Sequence, residues 1–312
     1  MFSFFKKKEN QTNVPEWASF FTTKEYTRFM KYVDNYFRKL NVDYTIIDGG
    51  ISVGENNFGF KVLGLQNVAQ MCKQNTLGDY ESIVTKHFDT MIRIYQFEKE
   101  FDEIVTDFEK VEKYITVRLY DNEYLSHLEE ENRITQPFTE DIGAMLVFDL
   151  PESVMNIKPE QTLAWGKTKE ELFQTGHKNV KNNYPVNLTK NKVGDHTIWF
   201  AEADHFFTSV FALDIIEYPQ VIGSKGSVIS FPNRHAVLIY PIENLEVLGA
   251  LNVILYLTTR MYEDGPGSMT DKLYWYKDSQ FINLPHRKED GKQIFSPPQT
   301  FVDALNEMAK NK

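Results

Sequence analysis

The sequence predicts an α+β protein of two packed subdomains, with mostly antiparallel sheets flanked by helices. Three observations carry that prediction. Apolar residues recur at helical spacing from Thr23 to Leu40 and again from Tyr80 onward. Short β-rich runs are joined by tight-turn residues rather than by helix-length crossovers, which marks antiparallel hairpins. The chain has 312 residues, more than the ~100–200 of an ordinary domain. The first subdomain is expected over residues 16–112 and the second over 113–312.

In the first subdomain, Thr22 and Glu25 have the spacing of a capping box, which satisfies free N–H groups at a helix start. Tyr26, Phe29, Met30, Val33, Phe37 and Leu40 follow on one helical face. Tyr44 to Ile47 and Ile51 to Val53 flank Asp48-Gly49-Gly50, a hairpin signal because these turn residues tolerate positive φ. Phe58 to Leu63 reads as a third strand. A short helix holding Cys72 comes next, then a long one from Tyr80 to about Phe108. The stripe of that long helix, Val84, Phe88, Met91, Ile92 and Tyr95, drifts before its end. His87 shares the stripe and reads as a hydrogen-bonded core histidine.

In the second subdomain, Ile115 to Tyr120 reads as a strand, with Arg118 inside it as a paired or edge charge. The acidic stretch 121–141 is the candidate linker, or a solvated helix. Gly143 to Leu150 is an apolar strand closed by Pro151. Thr168 and Glu171 repeat the capping-box spacing and open a helix to about Asn182. Thr197 to Ala203 is a strand, and His205 to Ile216 an expected amphipathic helix. Ser227 to Ile242 holds two apolar runs around a turn at Pro232-Asn233-Arg234-His235. Asn244 to Tyr262 is apolar nearly all round, which predicts a helix deep in the core. Leu273 to Tyr276 and Phe281 to Leu284 form a hairpin about Asp278-Ser279, and a helix with Phe301, Leu305 and Met308 follows.

Composition narrows function. With 34 Lys and Arg against 44 Asp and Glu, the net charge is −10, which argues against general nucleic-acid binding. One cysteine, Cys72, excludes a disulfide framework and a multi-cysteine zinc site. It reads as a buried, inert thiol. The best apolar run, Leu245 to Leu257, carries Glu246 and Asn252 and is shorter than the ~20 residues a membrane helix needs. The expected location is the cytoplasm, with no integral membrane segment. Phe2, Phe4 and Phe5 followed by Lys6, Lys7 and Lys8 allow weak peripheral contact with a membrane surface.

No phosphate loop, dinucleotide fingerprint, paired-histidine zinc helix or nucleophile elbow is present, and no cofactor or metal is expected. Glu202, Asp204 and His205 are the candidate acid/base group, because carboxylates and an imidazole at a strand end have the chemistry of hydrolysis. The ordinary alternative has Asp204 capping the helix after it. Asp149, Asn233 and Arg234 are the candidate binding residues. An arginine at a tight turn can clamp a carboxylate or phosphate bidentately, or pair with an acid to fix the turn.

Gly143 to Pro151, the helix opened at Thr168, Phe206 to Leu213 and Ser230-Phe231-Pro232-Asn233-Arg234 follow one another in an order that resembles the YtpQ-like family of bacterial proteins. The resemblance spans residues 30–290 and implies a soluble, cytoplasmic protein; it brings no catalytic residues to this chain. The basic-aromatic N-terminus and the Gly-rich loop from Asp264 to Asp271 depart from the family pattern. The expected function is a non-enzymatic binding or interaction module for an unknown protein or small-molecule ligand. The rival is a hydrolase using Asp204 and His205.

Overall fold

Helix α1 (Thr23–Leu40) begins at a reciprocal cap: the Glu25 N–H donates to the Thr22 hydroxyl oxygen, and the Thr22 N–H donates to the Glu25 carboxylate at 2.7 Å. Asn41, at φ 54°, ends it. The computed structural model describes residues 14–54, 56, 58–264, 267–290 and 292–310. The chain divides into one unit ending at Ile104 and another beginning at Val105. Phe2, Phe4, Phe5 and Lys6 to Lys8 lie outside the described residues.

In the first unit, β1 (Tyr44–Ile47) and β2 (Gly50–Val53) form the predicted hairpin, with Gly49 at φ +68° in its turn. Strand β3 (Val62–Gly64) joins β2 antiparallel and is shorter than the Phe58 to Leu63 run. Phe58 instead packs its ring at 5.7 Å from Phe37 and 6.3 Å from Phe88. Helix α2 (Gln66–Lys73) buries Cys72, and α3 (Tyr80–Asp102) adds Tyr80, Val84 and Phe88 to the same core. Helix α3 stops at Asp102, short of Phe108. Glu98, Glu100 and Asp102 crowd its carbonyl end, where the helix dipole disfavours negative charge.

The second unit opens with α4 (Phe108–Val111), β4 (Ile115–Asp121), α5 (Asn122–Ser126) and β5 (Thr135–Pro137). Then come β6 (Ile142–Asp149), β7 (Val154–Asn156), α6 (Pro159–Thr162) and α7 (Lys169–Asn183). Strand β6 is central. It pairs with β4 along one side and with β5 and β7 along the other, antiparallel throughout. The acidic stretch 121–141 is therefore neither a linker nor one solvated helix: it holds the short α5 and turns and gives β5 to this sheet. Helix α7 starts at the predicted Thr168–Glu171 cap.

A six-stranded antiparallel sheet follows in the order β13-β12-β10-β11-β9-β8. Its strands are β8 (Asn187–Val193), β9 (His196–Glu202), β10 (Ser227–Asn233), β11 (Ala236–Pro241), β12 (Leu273–Lys277) and β13 (Gln280–Asn283). Between β9 and β10, Thr208–Glu217 forms 3-10 turns rather than the expected amphipathic α-helix. Thr208 to Ala212 are five successive buried residues, which leaves no alternation of wet and dry faces. Helix α8 (Val247–Asp264) buries Val247, Ala250, Leu251, Ile254 and Leu255 on the sheet. Its other side is open, with Leu248 51% and Tyr256 66% exposed, so the expected deep burial does not hold. One sheet face covers only one helical stripe. A polar hairpin, β14 (His286–Glu289) and β15 (Lys292–Phe295), precedes α9 (Gln299–Lys310), whose Phe301 packs on Trp275. Among the described residues no helix is long and apolar enough to cross a membrane.

Candidate functional site

Strand β4 presents alternate residues to opposite faces, so Thr116, Arg118 and Tyr120 share one face. Arg118 is only 8% exposed. Its guanidinium lies 5.4 Å from the Tyr120 ring centre, 5.4 Å from Phe206 and 5.5 Å from Phe207. A second guanidinium reaches the same tyrosine from the other sheet: Arg234 is 4.7 Å from the Tyr120 ring.

The turn between β10 and β11 sets the position of Arg234. The Arg234 N–H donates to the Gly267 carbonyl at 3.0 Å, and the His235 N–H donates to Asn233 Oδ1 at 3.0 Å. Asn233 Nδ2 donates to the Met261 carbonyl at 3.2 Å. Asn233 thus spends both ends of its amide on building the turn. His235 packs its ring 4.5 Å from Phe206.

Both arginine Nε atoms are sealed from solvent without a hydrogen-bond partner, as is His235 Nε2. Neither guanidinium makes a hydrogen bond or ion pair among the described residues. Burial, and then the nearby Arg234 charge, push the Arg118 pKa down, while Tyr120, Asp149 and Tyr124 push it up. Arginine stays protonated under such shifts. The site thus holds two cations, of which Arg118 is buried, and its removal from water costs several kcal/mol unless a partner compensates it. Rings over a guanidinium compensate part of that through cation–π attraction. They do not replace the hydrogen bonds that its N–H groups lose on burial.

Asp149, at the end of β6, accepts a hydrogen bond from the Tyr184 hydroxyl. Burial raises its carboxyl above the ordinary value; the Tyr184 bond, Arg118 and His205 oppose the rise. Tyr184 stacks on Phe207 at 4.4 Å. His205 Nδ1 accepts from the Phe207 N–H at 3.2 Å, and Nε2 lies 3.1 Å from the Pro185 carbonyl. A neutral ring protonated on Nε2 satisfies both contacts.

The structure therefore brings Asp149, His205 and Arg234 into one neighbourhood, with Asn233 as the turn that aims Arg234. Glu202 and Asp204 are exposed. Among the described residues no hydrogen bond joins Glu202, Asp204 and His205, and Asp204 caps no helix; the acid/base group does not assemble. No metal-binding cluster of His, Cys, Asp and Glu occurs among the described residues. Arg118 sits on an edge strand as the sequence reading allowed, but it is buried and, among the described residues, unpaired. Tyr120, Phe206 and Phe207 were also missed. The available signal was a lone arginine in an otherwise uncharged run, Ile115 to Tyr120. No protein-family model matches the chain, no curated protein matches it and no solved structure matches it.

Proposed function

We propose that the protein is a cytoplasmic, non-enzymatic binding module related to the YtpQ-like bacterial family, and that its ligand is an anion held by Arg118 and Arg234. One observation carries this reading: two guanidiniums lie near one tyrosine ring, and among the described residues no carboxylate is paired to either. Guanidinium forks match carboxylate and phosphate oxygens bidentately. A pair of guanidiniums of this kind suits a single anionic group on a small molecule. It does not suit a nucleic-acid backbone, which the net charge of −10 also repels.

The test is calorimetric titration of the full chain with inorganic phosphate and with sulfate. Binding that disappears in Arg234→Ala, with the melting temperature retained, supports the reading. Equal heats from both proteins, or no binding by either, overturns it.

A further inference from the structure

We propose that the anion is a phosphate monoester carried on a planar ring. This rests on the reading of Arg118 and Arg234 as an anion receptor and adds the class of ligand that the surrounding side chains select.

Charge comes first. Two guanidiniums adjoin the Tyr120 ring, and Asp149, the one carboxylate that acts on Arg118, accepts its hydrogen bond from Tyr184 rather than from either arginine. A carboxylate brings one negative charge, whereas a phosphate monoester brings ~1.5 to 2 at neutral pH and more acceptor oxygens. The dianion neutralises both cations and can accept from both forks at once.

The rim supplies the second half. Tyr124 stacks on Tyr120 at 5.0 Å and 12° between planes, yet it remains 42% exposed, so its outer face is open. Its hydroxyl is near enough to Arg118 to shift that group's titration. Phe206 lies over the Arg118 guanidinium and is 46% exposed. Two large, half-exposed aromatic side chains thus stand beside the cations, Tyr124 on the Tyr120 ring and Phe206 against the Arg118 guanidinium, where each can offer a face to a planar ring. Aromatic faces attract planar π-systems beyond simple burial.

Methyl phosphate, phenyl phosphate and adenosine monophosphate are the probes, titrated into the full chain and into Phe206→Leu and Arg234→Ala. Phenyl phosphate is expected to bind about fivefold or more tightly than methyl phosphate. Phe206→Leu should erase that ratio, lowering the phenyl phosphate affinity more than the methyl phosphate affinity. Adenosine monophosphate preferred over phenyl phosphate would also support the proposal and identify the ring as a nucleobase set back by its sugar. Equal binding of methyl and phenyl phosphate, with both lost in Arg234→Ala, overturns the ring requirement and leaves the anion receptor standing. No binding of any of the three overturns both.

Discussion

Arg118, from the middle of β4, and Arg234, from the turn between β10 and β11, stand 5.4 and 4.7 Å from the same ring, that of Tyr120. Like charges brought together from two sheets repel, and the desolvation of Arg118 adds to that cost. The arrangement is poor for stability and good for receiving an anion.

That cost can be measured. Arg118→Met keeps an unbranched apolar stem among Tyr120, Phe206 and Phe207 and removes the uncompensated charge. Replacing a buried charge with an apolar residue of similar volume is often neutral or stabilising. In the absence of any anion, the variant is expected to match the parent or exceed it by about 1 kcal/mol, read from chemical denaturation. Its phosphate binding should be lost. A destabilisation of several kcal/mol would mean that the guanidinium holds this core through its ring contacts.

Gly176 sets how closely α7 approaches the strand that carries Arg118. A Cβ there would stand 2.9 Å from the Thr116 carbonyl carbon and 3.0 Å from Val117 Cγ2. Two effects oppose each other in Gly176→Ala. The helix gains about 1 kcal/mol of propensity, and overpacking costs about 1–3 kcal/mol. Backbone atoms cannot swing aside as a side-chain tip can, so the loss should win. The expected result is a lower denaturant midpoint together with weaker phosphate binding, because β4 must move. A raised midpoint would show that the helix can lift from the strand freely.

Local chemistry was legible in the chain. Thr22–Glu25 and Thr168–Glu171 are both capping boxes in the structure, and Asp278-Ser279 turns a hairpin with φ of 50° and 60°. Each depends on residues within one turn of one another. Strands β8 and β14 were not anticipated, because Asn187–Val193 and His286–Glu289 are mostly exposed and polar, with no apolar face to announce them. Helix α8 misled for the opposite reason. Its sequence is apolar on more faces than the single sheet beneath it covers. For the candidate site, the sequence marked Arg234 and Asp149 singly. Their meeting with Arg118 depends on how two sheets associate, which no local pattern encodes.

Cys72 provides an independent check on the first unit. The thiol is fully buried in α2, and burial pushes its pKa up to about 12. The thiolate is the reactive form, so a disulfide reagent should leave the native chain unmodified at neutral pH. One equivalent should react promptly after unfolding. Labelling of the folded chain within seconds would contradict the packing of α2 on α1 and α3.

Glu25 links the α1 cap to pH. The Thr22 N–H, and then the Lys73 ammonium at 2.9 Å, hold its carboxyl below the ordinary value near 4.5. A folded-state pKa below the unfolded one stabilises the fold above the unfolded value and loses that contribution as pH falls through the folded value. Protection of the Thr23–Leu40 amides, taken relative to their intrinsic exchange rates, should therefore fall below about pH 4.5 in the parent. Glu25→Gln should start from faster exchange at neutral pH and show a shallower acid response. An unchanged acid limb in the variant would assign the pH dependence to other carboxylates.

Asp149 has the reverse sign and bears on the site itself. Burial raises its carboxyl above the ordinary value near 3.8, with Tyr184 donating to it and Arg118 and His205 the nearest cationic or titratable neighbours. Above that raised pKa, Asp149 is negative and competes with any anion for the potential of Arg118. As pH falls through it, the competitor is neutralised. Sulfate, whose charge is constant over this range, should therefore bind more tightly as pH falls through that raised value. Asp149→Asn should bind sulfate more tightly than the parent at pH 7 and lose this pH dependence. Weaker sulfate binding in Asp149→Asn would instead mean that the Tyr184–Asp149 bond is needed to hold Phe207, and through it Arg118, in place.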